Sequence, residues 1–112
     1  MRLWMVNPKI LCRQHLLGEH VESHMFLGTI AKGKSIQGYL NRGLVEVHNL
    51  AARHDQLAQE MTERGYNHQS PFPADFYHVE LGQVDSDKSL QDLIGRCMKC
   101  KERHDNFLKK RP

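Results

Sequence analysis

The chain has 112 residues, 39% of them apolar and 26% charged, with a formal net charge of +3. That composition is ordinary for a soluble globular domain. No apolar run approaches the ~18 residues that a membrane span demands, and no export signal is visible in the opening Met1-Arg2-Leu3-Trp4-Met5-Val6-Asn7-Pro8. Three cysteines, an odd number, argue against a disulfide scaffold and for a reducing compartment, so a single cytoplasmic domain over residues 1–112 is expected. The mild positive charge permits an anionic partner such as nucleic acid without requiring one.

Along the chain, Asn7-Pro8 reads as an N-cap followed by proline at a first helical position, a turn that leads into a long helix through Cys12–Ile30 ending near Gly33. Lys32, Lys34 and Arg42 surround an expected loop. A second helix is marked by Val47, Leu50, Ala51, His54, Leu57, Ala58 and Met61 at three-and-four spacing, with Gly65 after Arg64 as its stop. Residues 66–85 contain Pro71 and Pro73 and carry no sustained helical period, which predicts a long irregular loop. Ser89-Leu90-Gln91-Asp92 resembles a capping box opening a third helix, with Leu90, Leu93, Ile94, Cys97, His104, Phe107 and Leu108 as its apolar stripe and frayed residues over 109–112. The expected architecture is all-α: a compact three-helix single domain with the loop between helices two and three.

Two constellations have metal-like spacing. Cys97-x-x-Cys100 precedes His104, and Cys12 is available as a fourth ligand, but Cys97 and His104 fall on the apolar stripe, where cysteine behaves as a small hydrophobe. His20 and His24 stand one turn apart, yet Glu22 between them points to the opposite side of the helix, unlike the glutamate of H-E-x-x-H zinc proteases. His48, His54, His68 and His78 show no ligand spacing, and His54 lies on the core stripe of the second helix. No metal and no cofactor is expected from these patterns.

The order Met1-Arg2, Gln14-His15-Leu16, Glu19, Glu22, Gly28, Gly33-Lys34 and Arg64-Gly65-Tyr66-Asn67 resembles the phage-type endonuclease V family of pyrimidine-dimer DNA glycosylases and abasic-site lyases, over about residues 1–70. The resemblance implies a compact helical fold whose N-terminus threads between helices to reach a catalytic glutamate. It implies a DNA-repair N-glycosylase with β-lyase activity, acting on double-stranded DNA that carries a damaged or modified base or an abasic site. The nucleophile would be the α-amine of Met1. A free α-amine titrates near ~8, against about 10.4 for lysine, so more of it is unprotonated at neutral pH. Glu22 fills the position of the family's catalytic carboxylate, which stabilises a cationic imine and relays protons. Arg2 would orient a phosphate and tune the amine. Gln14, His15 and Glu19 would form the supporting rim, with Lys32 and Lys34 as phosphate contacts.

The chain departs from the family pattern in three places. Its members start with threonine, where Met1 stands here. Two arginines that grip DNA correspond to Val21 and Met25, and the aromatic, basic C-terminal segment is replaced by Cys97-Met98-Lys99-Cys100-Lys101-Glu102-Arg103-His104. The reaction class is therefore better defined than the lesion. The competing reading from another class is a non-enzymatic helical domain that binds DNA or a protein with a decayed site, followed by a metal-dependent hydrolase. The polar exposed faces suit a monomer.

Overall fold

The computed structural model describes residues 1–110. Among these the chain forms five α-helices and no strand: α1 (Arg13–Ala31), α2 (Gln37–Asn41), α3 (Leu50–Glu63), α4 (Ser86–Arg96) and α5 (Met98–Lys109), with 3-10 turns at Pro8–Ile10 and Val47–Asn49. None of the helices is long and apolar enough to cross a membrane. The all-α expectation holds, and the number of helices is corrected from three to five.

Asn7 caps the first 3-10 turn, its side-chain oxygen accepting from the Lys9 amide at 3.0 Å, and that turn leads into the long helix as expected. The cap of α1 is Cys12. Its C-terminal stop is the one expected, with Lys32 as cap and Gly33 at φ +71°. The second periodic segment becomes α3, preceded by the turn that holds Val47. Val47, Leu50, His54, Leu57 and Met61 are buried, and Gly65 takes φ +83° after the Arg64 cap. The short α2 occupies part of the expected loop around Lys34 and Arg42.

The third helix is where pattern and structure part. Asp85, not Ser89, caps α4, accepting from the Lys88 amide at 3.1 Å. Ser89 lies inside the helix and is buried, its hydroxyl donating to the Trp4 carbonyl at 2.6 Å. The helix then breaks at Cys97, whose extended backbone (φ −128°, ψ 107°) makes it the N-cap of α5. The apolar stripe runs through the break, so periodicity gave no warning of it. Lys109 ends α5 and Lys110 caps it, while Arg111 and Pro112 lie outside the described residues.

Two buried clusters share one core, and the N-terminal segment stitches them together. Leu3 packs with Phe26, Ile36, Val45, Val47 and Leu50, whereas Trp4 and Val6 pack with Ile10, Leu16, Leu57, Met61 and Leu93. Met5 takes φ +56°, a left-handed conformation unusual for a side-chain-bearing residue, at the point where the chain passes between the clusters. The Leu3 amide donates to the Leu44 carbonyl at 2.7 Å, holding the segment to the stretch before α3. The irregular loop returns over the same stretch through Gly82, at φ +87°, where an added Cβ would collide with the Val45 carbonyl oxygen. Only glycine fits there.

The buried charges of α1 and α3 meet in this core. Arg53 donates through Nε and Nη2 to the two carboxylate oxygens of Glu19 at 2.5 and 3.0 Å, and through Nη1 to the Val6 carbonyl at 2.7 Å. Both residues are essentially inaccessible to solvent. Removing one partner strands the other charge in a dry site, which costs about 3–5 kcal/mol. Arg53→Met and Glu19→Gln are each expected to lower unfolding free energy in urea by about that amount. The double replacement Glu19→Met with Arg53→Met should lose clearly less than the sum.

Candidate active site

The first two residues run across α1. The Arg2 main-chain N–H donates to Glu22 Oε2 at 3.2 Å, so the terminal residue lies against the carboxylate that sequence comparison singled out. Met1, Arg2, Trp4, Gln14, His15, Gly18, Glu19, Glu22, Arg42, Leu44 and Arg96 line an open cavity of about 460 Å³. A larger groove adjoins it and shares Arg2, Arg42, Leu44 and Arg96. Gln14, Gly18 and Glu22 fall on one face of α1 because their four-residue spacing stacks them a turn apart.

Arg2 reaches Glu22 through its backbone alone. Its guanidinium turns the other way, stacking 3.8 Å above the Trp4 ring and donating to Asp92 Oδ2 at 3.0 Å and to Ser89 Oγ at 3.4 Å. That side chain therefore anchors the N-terminal segment to α4. Hydrogen bonds from Arg96, joined by Arg2, hold the Asp92 carboxyl below its usual range, so it is ionised at neutral pH. Its partner Arg96 donates to both Asp92 oxygens at 2.8 and 2.6 Å while lining the cavity.

The remaining expected rim residues separate into two groups. Gln14 and His15 line the cavity with Glu22, and the His15 ring meets Trp4 edge-on at 5.7 Å. Burial, then the Arg96 charge, lowers His15 below its ordinary value, so it is neutral at neutral pH. Glu19 also faces the cavity, but both its oxygens are engaged by Arg53, which makes it a support of the wall rather than a free ligand for substrate. Lys32 and Lys34 are exposed at the far end of α1 and do not line the cavity. Helical rise alone puts Lys32 about 15 Å along the axis from Glu22.

Two cations of the cavity, Arg42 at the end of α2 and Arg96 at the end of α4, were not among the expected site residues. Neither has a local signature, since each arrives by tertiary packing from a distant segment. Arg53 was missed as well. It did leave a trace: a charged residue three positions after Leu50 and four before Leu57, on the apolar face of α3.

The family model for pyrimidine dimer DNA glycosylase matches residues 1–74, and the chain belongs to that family. No curated protein and no solved structure matches it. The family match covers Met1, Glu22 and all of α1 to α3, while α4 and α5, with Arg96 and Asp92, lie beyond it.

The support of the N-terminal segment is testable without substrate. Ser89→Ala leaves the buried Trp4 carbonyl without its side-chain donor. It is expected to cost about 1–3 kcal/mol in denaturant unfolding.

Proposed function

We propose that the protein is a DNA N-glycosylase with abasic-site lyase activity, in which the α-amine of Met1 is the nucleophile. The observation that carries this reading is the 3.2 Å contact between the Arg2 main-chain N–H and Glu22, which puts residue 1 beside the carboxylate in the cavity. The unprotonated amine attacks C1′ of the damaged nucleotide, the C1′–base bond breaks, and the base leaves with a proton. Opening of the sugar ring gives an iminium at C1′ whose positive charge Glu22 stabilises. Loss of a C2′ proton to a general base then expels the 3′ phosphate by β-elimination, and water hydrolyses the imine to restore the amine. Glu22 is the group placed to move these protons.

Arg42 and Arg96 are the phosphate contacts in this reading, in place of Lys32 and Lys34. Gln14 and His15 line the sugar side of the groove. Arg2 acts as the anchor that keeps the amine at Glu22. Val21 and Met25, both about half exposed, stand where the family resemblance places DNA-gripping arginines. The cations at Arg42 and Arg96 offset part of that loss. The substrate is double-stranded DNA with an excisable base or an abasic site.

Borohydride reduction of protein mixed with abasic-site DNA is expected to trap a covalent adduct that maps to Met1 and disappears when the terminus is acetylated. Glu22→Gln should slow strand cleavage by about 10²–10⁴-fold while leaving DNA affinity within a few-fold. Absence of the adduct from a folded protein that still binds DNA would overturn the enzyme in favour of a DNA-binding domain. Arg42→Ala should weaken DNA binding and reduce the slope of log affinity against log salt by about 0.9.

A further inference from the structure

Away from the amine and Glu22, the two ends of the chain bring four soft ligands to one point. Cys12 Sγ lies 3.2 Å from His15 Nδ1 and 3.9 Å from Cys97 Sγ, and Cys100 Sγ lies 3.6 Å from the same His15 nitrogen. All four ligand atoms fall within 4.8 Å of one another. A tetrahedral zinc ion with bonds of about 2.3 Å to sulfur and about 2.0 Å to nitrogen requires S···S near ~3.8 Å and S···N near ~3.5 Å. The two S···N separations lie either side of the required value, and the Cys12–Cys97 separation of 3.9 Å is close to the S···S value. The structure assigns a zinc site to Cys12, His15, Cys97 and Cys100.

The backbone around these residues is arranged for thiolates. Cys12 caps α1 and Cys97 caps α5, so two helix N-termini point their positive ends at the cluster. Each sulfur accepts a main-chain N–H: Cys12 from His15 at 3.5 Å, Cys97 from Cys100 at 3.4 Å, and Cys100 from Cys12 at 3.2 Å. Such donors stabilise a metal-bound thiolate more than a neutral thiol. The two pairs have the same spacing, Cys12-x-x-His15 and Cys97-x-x-Cys100, each wrapped around a helix start. His104, which sequence spacing offered as a ligand, is outside the cluster, with Nδ1 3.9 Å from Asp105. A zinc ion here clamps α5 to the start of α1 and accounts for the helix break at Cys97. It also holds one ring nitrogen of His15, fixing that side chain in the cavity wall.

The test uses untagged full-length protein purified without chelator. In the His68→Ala protein, which keeps this cluster alone, zinc bound through three thiolates and one imidazole is expected by X-ray absorption. Cobalt(II) replacing the zinc should show an intense near-ultraviolet thiolate charge-transfer band. The three thiols should react slowly until the metal is removed, and metal removal should move the thermal transition to lower temperature. A folded protein that carries no zinc, takes up neither zinc nor cobalt with that band, and exposes three freely titrating thiols would overturn the assignment. Because these readouts need no DNA, failure of the glycosylase reading leaves them unchanged.

A second cluster stands on separate evidence. His68 Nε2 lies 2.9 Å and His54 Nε2 3.1 Å from His20 Nε2, the three ligand nitrogens within 4.8 Å of one another. The Asp55 carboxylate stands 2.9 Å from His54 Nδ1, an outer-shell partner that places the proton on Nδ1 and the lone pair on Nε2. The same Nε2 also lies 2.9 Å from the Ser70 carbonyl oxygen of the irregular loop. A single proton on His20 Nε2 serves only one of its two histidine neighbours at a time. We infer that a divalent cation with affinity for imidazole, such as zinc, joins His20, His54 and His68 and pins the irregular loop to α1 and α3. Wild-type protein should bind two zinc equivalents, and His68→Ala should bind one while keeping the cobalt–thiolate band. A wild type that binds only the thiolate-held metal would overturn this second site.

Discussion

The arrangement depends first on the buried pair of Glu19 and Arg53. It joins α1 to α3 and, through the Val6 carbonyl, secures the N-terminal segment to both. A guanidinium in a dry core is tolerable only when its donors are matched by acceptors of the right geometry. Here the carboxylate takes two, while Val6 and Gln56 take one each from Nη1. Glu22 is one turn beyond Glu19 on α1, and Arg2 is four residues before Val6. The contact that locks the core thus also sets the distance between residue 1 and the carboxylate.

The long α1 serves several surfaces because a helix distributes its residues around an axis. Gln14, Gly18 and Glu22 form the cavity face, and Leu16 and Phe26 enter the core. His20 turns to α3 and the loop, opposite Glu22, so the histidine cluster and the carboxylate do not interfere. Val21 and Met25 remain apolar and exposed beside the cavity face. The same helix therefore presents a cavity face, a core face and a histidine-bearing face without additional scaffold, which suits a chain of this length.

The C-terminal pair α4 and α5 lies outside the family match yet completes the cavity. Asp92 and Ser89 hold Arg2, Arg96 adds a cation to the rim, and Cys97 and Cys100 meet Cys12 and His15. The segment that departs most from the family pattern in sequence thus has a structural purpose of its own. Through Ser89 and Asp92 it holds Arg2 and the Trp4 carbonyl.

Local pattern determined the all-helical class, the limits of α1, the apolar face and glycine stop of α3, and the irregular stretch before α4. Each of these depends on side-chain period or on backbone preferences within a few residues. Met1 and Glu22 were singled out by the family resemblance rather than by local pattern. Pattern did not reveal the break at Cys97, because the apolar spacing continues unchanged through it. Spacing did offer Cys12 beside Cys97 and Cys100, but it did not reveal that Glu19 belongs to Arg53, that Arg2 faces Asp92, or that His15 rather than His104 joins the three cysteines. Those pairings link residues 34 to 90 positions apart. Ligand spacing along one helix says which atoms are near one another locally, whereas a tetrahedral set or a buried ion pair is closed only when separate helices dock.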